Sequence, residues 1–438
     1  MRSYSTIGLQ APDLLLPKSN IDLTRWSVVA CDQFTAQPDY WERVEEKTKD
    51  LPSTYHLMLP EAYLGAAKAE EHQARVNHTM SNYLDNGIFR GVEGFIYVER
   101  ETSTGIRQGL VAALDLECYD FSPESTSLVR ATEGTIVDRL PPRIAIRKDA
   151  PLELPHILVL IDDPDFAVIQ PLVKIKKELE KLYEFSLMES GGTIRGYHVN
   201  QPSIEEQIVS AFQKLKSTEW QTERYGISKH PLLYAVGDGN HSLATAKSIW
   251  EMMRSDVPSI HPARYALVEI VNLHDPSIVF EPIHRVAINV KLDLESEIKS
   301  FFNGEIIVET FDQWEELRRF VESQQHGSQI FGFLLNGSAK SVRIVNPPHT
   351  LVVGSLQRFL DAMKEKNPLM EIDYIHGDDA ITELSKKPGN AGFVLPAMDK
   401  FKLFEAVIKN GPLPRKTFSM GEAQDKRYYL ECRKIKEI

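Results

Sequence analysis

Short apolar, β-rich runs alternate with helix-patterned stretches from one end of the chain to the other. That alternation confines the fold to the α/β class, with mixed α+β character. In the first two-thirds, strands are expected at 26–31, 94–98, 110–116, 157–161, 193–199, 232–236 and 265–271, where Val, Ile, Leu and Tyr concentrate. Between them Val76, Met80, Tyr83 and Leu84 share one helical face, and Asn86-Gly87 supplies a stop. Leu172, Ile175, Leu179 and Leu182 share another. Ser203 and Glu206 have the spacing of a capping box ahead of Ile204, Ile208, Phe212 and Leu215.

The last third repeats the pattern on a smaller scale. Asp312 with Glu315 reads as a cap for the stripe Trp314, Leu317 and Val321. Strands are expected at 330–335, 342–345, near 370–374, at 392–395 and at 428–432, with helices at 355–363 and near 401–408. The expected division is a core domain over 1–290 and a smaller C-terminal α/β lobe over 291–438.

Charge narrows the partners. Against 50 Lys and Arg stand 62 Asp and Glu, a net charge of −12, and no basic run is present to displace counterions from a nucleic-acid backbone. A nucleic-acid partner is therefore not expected, whereas a small anion can still find a locally basic pocket. No stretch approaches the ~18 apolar residues of a membrane span, and no secretory h-region opens the chain. Cys31, Cys118 and Cys432 lie far apart and form no Cys-x-x-Cys, so neither a zinc site nor a disulfide framework is expected. Together these point to the reducing cytoplasm.

The densest signal is 232–250, LLYAVGDGNHSLATAKSIW. An apolar strand runs into Gly237-Asp238-Gly239-Asn240-His241, and a helix follows with Leu243, Ala246, Trp250 and Met253 on one face. Glycines at a strand-to-helix turn let the backbone approach a ligand closely. The helix start offers unpaired N–H groups and a positive dipole end to an anion. Asp238 has the chemistry to hold Mg²⁺, and Asn240 and His241 to donate to phosphate oxygens. The alternative is a tight βα turn in which Asp or Asn merely caps the helix. Ser242 stands where a third glycine would complete a dinucleotide fingerprint, and the lysine of a P-loop is absent, so neither motif applies.

A strand, then Asp-Gly-Asn-His, then an Ala-rich helix resembles the box shared by the ParB, sulfiredoxin and free-serine-kinase superfamily. The wider chain resembles the family known as Domain of Unknown Function 1015, in Thr132-Glu133-Gly134-Thr135 with Asp138-Arg139, in the stretch 156–163, in the motif at 238–246, in Pro282-Ile283-His284-Arg285 and in the stretch 411–417. The resemblance implies a ParB-like core with insertions whose motif turn binds phosphates. No cysteine lies within 238–246, which disfavours sulfiredoxin chemistry. It implies a Mg²⁺-dependent phosphotransferase that uses ATP or ADP on a small hydroxylated metabolite such as free serine. Asp238 would then help hold the metal. Gly237, Gly239, Asn240, His241 and Ser242 would cradle phosphate, and Glu133 would act as base or metal ligand. A nucleotide-sensing protein without transfer, or a structural partner with a degenerate motif, are the alternatives.

This sequence departs from the pattern at Ser242, where the relatives carry an arginine. A hydroxyl cannot make a guanidinium's bidentate phosphate contact, so another cation must serve. Arg139 and Arg285 lie in the family-like segments. Arg143, Arg147 and Arg195 are further arginines, and each of the five reads more readily as a surface or ion-pair residue; their place in the family-like segments raises Arg139 and Arg285 above the others, and one of these two would neutralise charge on the transferred phosphoryl group. Lys247 reads as solvated. Asp32, at a strand's C-terminal end, suits an active site or a cap equally. Cys31 lacks a neighbouring cation and reads as a buried thiol. His284 reads as a ligand-orienting or a structural histidine, and no spacing rule joins His156 to His198. Gly191-Gly192 reads as a loop entry rather than a second phosphate turn.

Overall fold

The computed structural model describes residues 2–35, 37–63, 69–324, 329–349 and 351–436, which form two compact units, 1–279 with 420–438 and 280–419. The architecture is mixed α/β with a smaller α/β lobe. The division differs from the one expected at 290 in two respects. Phe280–Ile288 is a strand of the second unit's sheet, and 420–438 returns to the first unit. Among the described residues no helix is long and apolar enough to cross a membrane.

The first unit is built on one large sheet. In chain order its principal strands are β1 (Phe95–Thr102), β2 (Gly105–Asp115), β3 (Tyr119–Asp120), β4 (Val129–Ala131), β5 (Leu158–Ile161), β6 (Lys181–Ser186), β7 (Thr193–Val199), β8 (Tyr234–Asp238) and β9 (Tyr265–Asn272). They lie side by side in the order β6-β7-β1-β2-β9-β5-β8-β4-β3. Both faces are covered, so the period-2 alternation of the strands sends apolar residues to two cores. From β1, Phe95 and Tyr97 join one core with Phe212 and Trp250, while Ile96 and Val98 join the other with Trp26 and Trp41.

Helices of this unit include α1 (Ala69–Asp85), α2 (Leu140–Arg147), α3 (Pro202–Lys216) and α4 (Asn240–Met253). The stripe Val76 and Met80 is buried as its spacing requires, and Gly87 follows the helix at φ +63°. Other local expectations change. Only Val28–Val29 pairs as a strand within 26–31, because Asp22 caps a helical turn over Leu23–Trp26. The stripe 172–182 is not one helix. It stops at Ile175, and Leu182 lies in β6, which pairs antiparallel with β7 across the Gly191-Gly192 loop. α3 opens on Pro202 without a side-chain cap, so Ser203 and Glu206 form no box. Its buried acid is Glu205, held by Arg2 and Tyr4.

The second unit has its own antiparallel sheet. β10 (Phe280–Ile288), β11 (Ile306–Phe311), β12 (Ile330–Leu335), β13 (Ser338–Ile344), β14 (Glu371–His376) and β15 (Ala391–Val394) lie in the order β11-β13-β12-β15-β10-β14. β12 and β13 form a hairpin over Asn336-Gly337, both at positive φ, the signature of a two-residue turn. The helix at Trp314–Glu322 buries Leu317 and Val321 as expected. Its N-cap is Gln313 without a side-chain bond, so Asp312 does not cap it.

Candidate functional site

β8 runs into α4 through Gly239, whose φ of +81° is the left-handed conformation that glycine adopts without strain. A Cβ there would come 3.0 Å from the Ile157 Cα, and one at Gly237 would come 2.8 Å from the Met420 Cε. Both glycines therefore serve close approach as well as turning. Asp238 Oδ1 accepts the Gly239 N–H at 2.9 Å, which fixes the carboxylate at the mouth of the turn. The N–H groups of the first turn of α4 have no intrahelical acceptor, and no side chain caps them. Asn240 Oδ1 is buried with no hydrogen-bond partner among the described residues.

β4 runs parallel to β8 with Ala131 opposite Val236. Glu133 and Asp238 each lie two residues beyond that pair, at the same end of neighbouring strands. Thr132 Oγ1 ties the two strand ends together by donating to the Val236 carbonyl at 2.6 Å. The chain then passes the helix start, where His241 Nε2 accepts the Ile136 N–H at 3.4 Å. The expected Asp238, Glu133, Gly237, Gly239, Asn240 and His241 are thus brought to one place.

A cation reaches this turn from an unforeseen quarter. Lys426 lies in the segment that returns to this unit, 188 residues after Asp238. Its Nζ lies 3.7 Å from Asp238 Oδ2 and donates to the Met420 carbonyl at 3.1 Å. Its side chain is nearly buried, so the ammonium is held at the turn rather than waving in solvent.

Ser242 behaves differently from its neighbours. β5 is antiparallel to β8, with Leu158 opposite Asp238, so the residues just before β5 stand beside the start of α4. Ser242 Oγ consequently lies 2.8 Å from His156 Nε2, and His156 Nδ1 lies 3.0 Å from Tyr429 Oη. Tyr429 Oη also accepts the Cys31 N–H at 3.3 Å. Burial pushes the Cys31 thiol up to about 12, and the adjoining Asp32 adds to this, which disfavours the thiolate that a nucleophile requires. Burial alone would raise Asp32, but the charge of His156, a hydrogen bond from Gln33 and the charge of Lys426 hold it below the ordinary carboxylate value. Ser242, His156, Tyr429 and Cys31 all line a cavity of about 160 Å³.

The arginines are otherwise committed. Arg285 belongs to the second unit and is 1% exposed. It donates to the carbonyls of Ile283, Arg415 and Lys416 and lies over the Tyr374 ring, so it is a structural cation and not a phosphate ligand of this turn. His284 is likewise fixed in that unit, between Asp378 and the Leu395 N–H. Arg139 is exposed just ahead of α2, and its carbonyl accepts from Arg143, which itself pairs with Glu61. Arg147 pairs with Glu153, and Arg195 with Glu184. Lys247 is not simply solvated. It donates to the Leu116 carbonyl and pairs with Glu251.

Among the described residues no three His, Cys, Asp or Glu come together as a metal cage. Mg²⁺ does not require one, since it keeps waters and is commonly held by one or two carboxylates together with phosphate oxygens. Asp238 and Glu133, two carboxylates at the same end of neighbouring strands, are compatible with binding of that kind.

Residues 15–363 match the family model described as "Protein of unknown function (DUF1015)". The chain belongs to this family. No curated protein matches it. Among solved structures, this DUF1015 member is similar to a free serine kinase in complex with AMP, at 11% identity and a TM-score of 0.37, over 77% of this chain and 94% of that one. A conserved hypothetical protein from Pyrococcus furiosus is similar at 12% identity and a TM-score of 0.34, over 74% and 90%. SbnI with C-terminal truncation from Staphylococcus aureus is similar at 9% and 0.34, over 73% and 82%.

Two contributors to the site escape any local pattern. Tyr429 lies in the strand expected at 428–432 and Lys426 just ahead of it, and nothing in their spacing ties them to 238–242. The third, His156, carried a hint in lying immediately before an apolar strand.

Proposed function

We propose that this DUF1015 protein binds the phosphates of a nucleotide at the turn between β8 and α4 and transfers a phosphoryl group to a small hydroxylated acceptor. The observation that carries this reading is the Lys426 ammonium fixed 3.7 Å from Asp238 at the amino end of α4. It supplies the positive charge that Ser242 cannot. Phosphoryl transfer asks little covalent chemistry of a protein; it asks for positioning and neutralisation of spread negative charge. The first-turn N–H groups of α4, the Asn240 amide turned to present its donor, and Lys426 would provide these. Asp238 and Glu133 would hold a phosphate-bridging Mg²⁺, which when bound would neutralise charge on the transferred group. His241, hydrogen-bonded to the 136 N–H, would keep the loop 132–136 closed on the turn. Arg139, exposed just ahead of α2, would contribute at long range only.

Thermal shift of wild type, His241→Ala and Lys426→Met with ATP, ADP, CTP and pyrophosphate, each with and without Mg²⁺, tests the reading. A ligand at a hundred times its dissociation constant adds about 2.7 kcal/mol, a rise of several degrees. A Mg²⁺-dependent rise that both variants lose is the expected result. No rise with any ligand would overturn phosphate binding, and binding without transfer to any alcohol would leave a nucleotide sensor.

A further inference from the structure

The cavity beside the turn has a character that free serine does not match. Met80, Ile146, Leu154 and Leu267 are among its apolar walls. The ionised side chains that line it are two acids and two arginines, and they are paired, Glu61 with Arg143 and Glu153 with Arg147. Glu153 is satisfied a second time by Arg433 at 2.6 Å. The charge of His156 is likewise met by Asp32, so the lining charges are balanced before an ammonium or a carboxylate arrives. A zwitterion would therefore leave water with both charges uncompensated, at a prohibitive cost. What the lining does offer is a polar relay, Ser242 to His156 to Tyr429, which can give or accept a hydrogen bond. The size is also informative, since a cavity of ~150 Å³ with apolar walls admits a benzene molecule.

We propose that this cavity is a binding site for a neutral alcohol with a ring-sized apolar body, its hydroxyl hydrogen-bonded to the Ser242–His156 pair. That this ligand is the phosphoryl acceptor rests on the function proposed above; the binding itself does not. Ser242 joins the two sites. Its backbone belongs to the phosphate-facing turn of α4, and its hydroxyl, turned to His156, belongs to the cavity. The serine that replaces the expected arginine thus changes which ligand the position addresses.

Calorimetric titration of the full chain with benzyl alcohol, L-serine and Mg²⁺-pyrophosphate tests this. Benzyl alcohol is expected to bind saturably and L-serine not at the same concentrations. Ile146→Trp and Leu154→Trp each fill the cavity and should weaken benzyl alcohol at least tenfold, while pyrophosphate binding stays within twofold. Near-UV circular dichroism like that of wild type identifies the variant that keeps its fold, and one such variant suffices. Binding of L-serine with none of benzyl alcohol would overturn the proposal, as would benzyl alcohol binding unchanged in a folded tryptophan variant. Loss of pyrophosphate binding in wild type beside intact, cavity-dependent alcohol binding would instead overturn the phosphate reading and uphold the alcohol site.

Discussion

The two sides of the first turn of α4 are made in opposite ways. The side proposed to bind phosphate is nearly contiguous: Gly237, Asp238, Gly239, Asn240 and His241 follow one another, with Glu133 and Lys426 arriving from elsewhere. The cavity side is assembled from Cys31, His156, Ser242 and Tyr429, four separate stretches of chain that meet because β5 runs antiparallel to β8 and the C-terminal segment folds back. A contiguous site depends on local backbone geometry. An assembled one depends on the packing and ion pairs that hold distant stretches in place. The second should therefore be the more fragile to substitutions in its supports.

The largest effect is expected at those supports. Arg433 and Glu153 are each 3% exposed and pair at 2.6 Å. Arg433→Ala leaves Glu153 with Arg147 and takes the guanidinium donors from the Pro262 and Tyr265 carbonyls as well, so these losses together should cost about 3 kcal/mol in urea-induced unfolding. If stability barely moved, the cavity wall would not depend on this pair and the contrast between the two sides would weaken. Tyr429→Phe comes next. It leaves the Cys31 N–H and His156 Nδ1 without their buried partner, a loss of about 1–3 kcal/mol. It should also lower benzyl alcohol affinity while leaving pyrophosphate binding unchanged. Equal losses for both ligands would mean that the two sides act as one.

The same contrast explains what could be read from sequence. The turn at 237–241 was legible because a strand-to-helix switch with two glycines is a local pattern, and the buried stripes of α1 and α3 were legible by their period. Leu182 was misplaced because a hydrophobic spacing of 3 and 4 cannot reveal that β7 will pair with that segment. Arg285 was grouped with the turn by motif alone, whereas the fold places it in a different unit and uses it on backbone carbonyls. Lys426 and Tyr429 were illegible because contacts across more than 180 residues follow from topology, which leaves no trace in local spacing.

Lys426→Met sharpens the phosphate side. The methionine keeps the length and removes the ammonium, so pyrophosphate affinity should fall about tenfold, or ~1.4 kcal/mol. Benzyl alcohol binding should be untouched, since Lys426 does not line the cavity. An unchanged pyrophosphate affinity would remove the observation on which the phosphate reading rests.

The smallest effect concerns pH and sits between the two sides. Asp32 is held below its ordinary value near 3.8, with His156 from the cavity side and Lys426 from the phosphate side both favouring its charged form against the penalty of burial. A carboxyl depressed in the folded state contributes stability that is present above the unfolded value and is lost as pH falls through the folded one. Wild type should therefore exceed Asp32→Asn in stability at neutral pH by an increment that shrinks as the solution is acidified below about pH 4. Combining Asp32→Asn with Lys426→Met sharpens the point. If the lysine is one of the charges that holds the carboxylate, the two substitutions should cost less together than the sum of each alone. Strict additivity would mean that His156 and the Gln33 hydrogen bond hold Asp32 by themselves, and that the two sides of the turn share no electrostatic link.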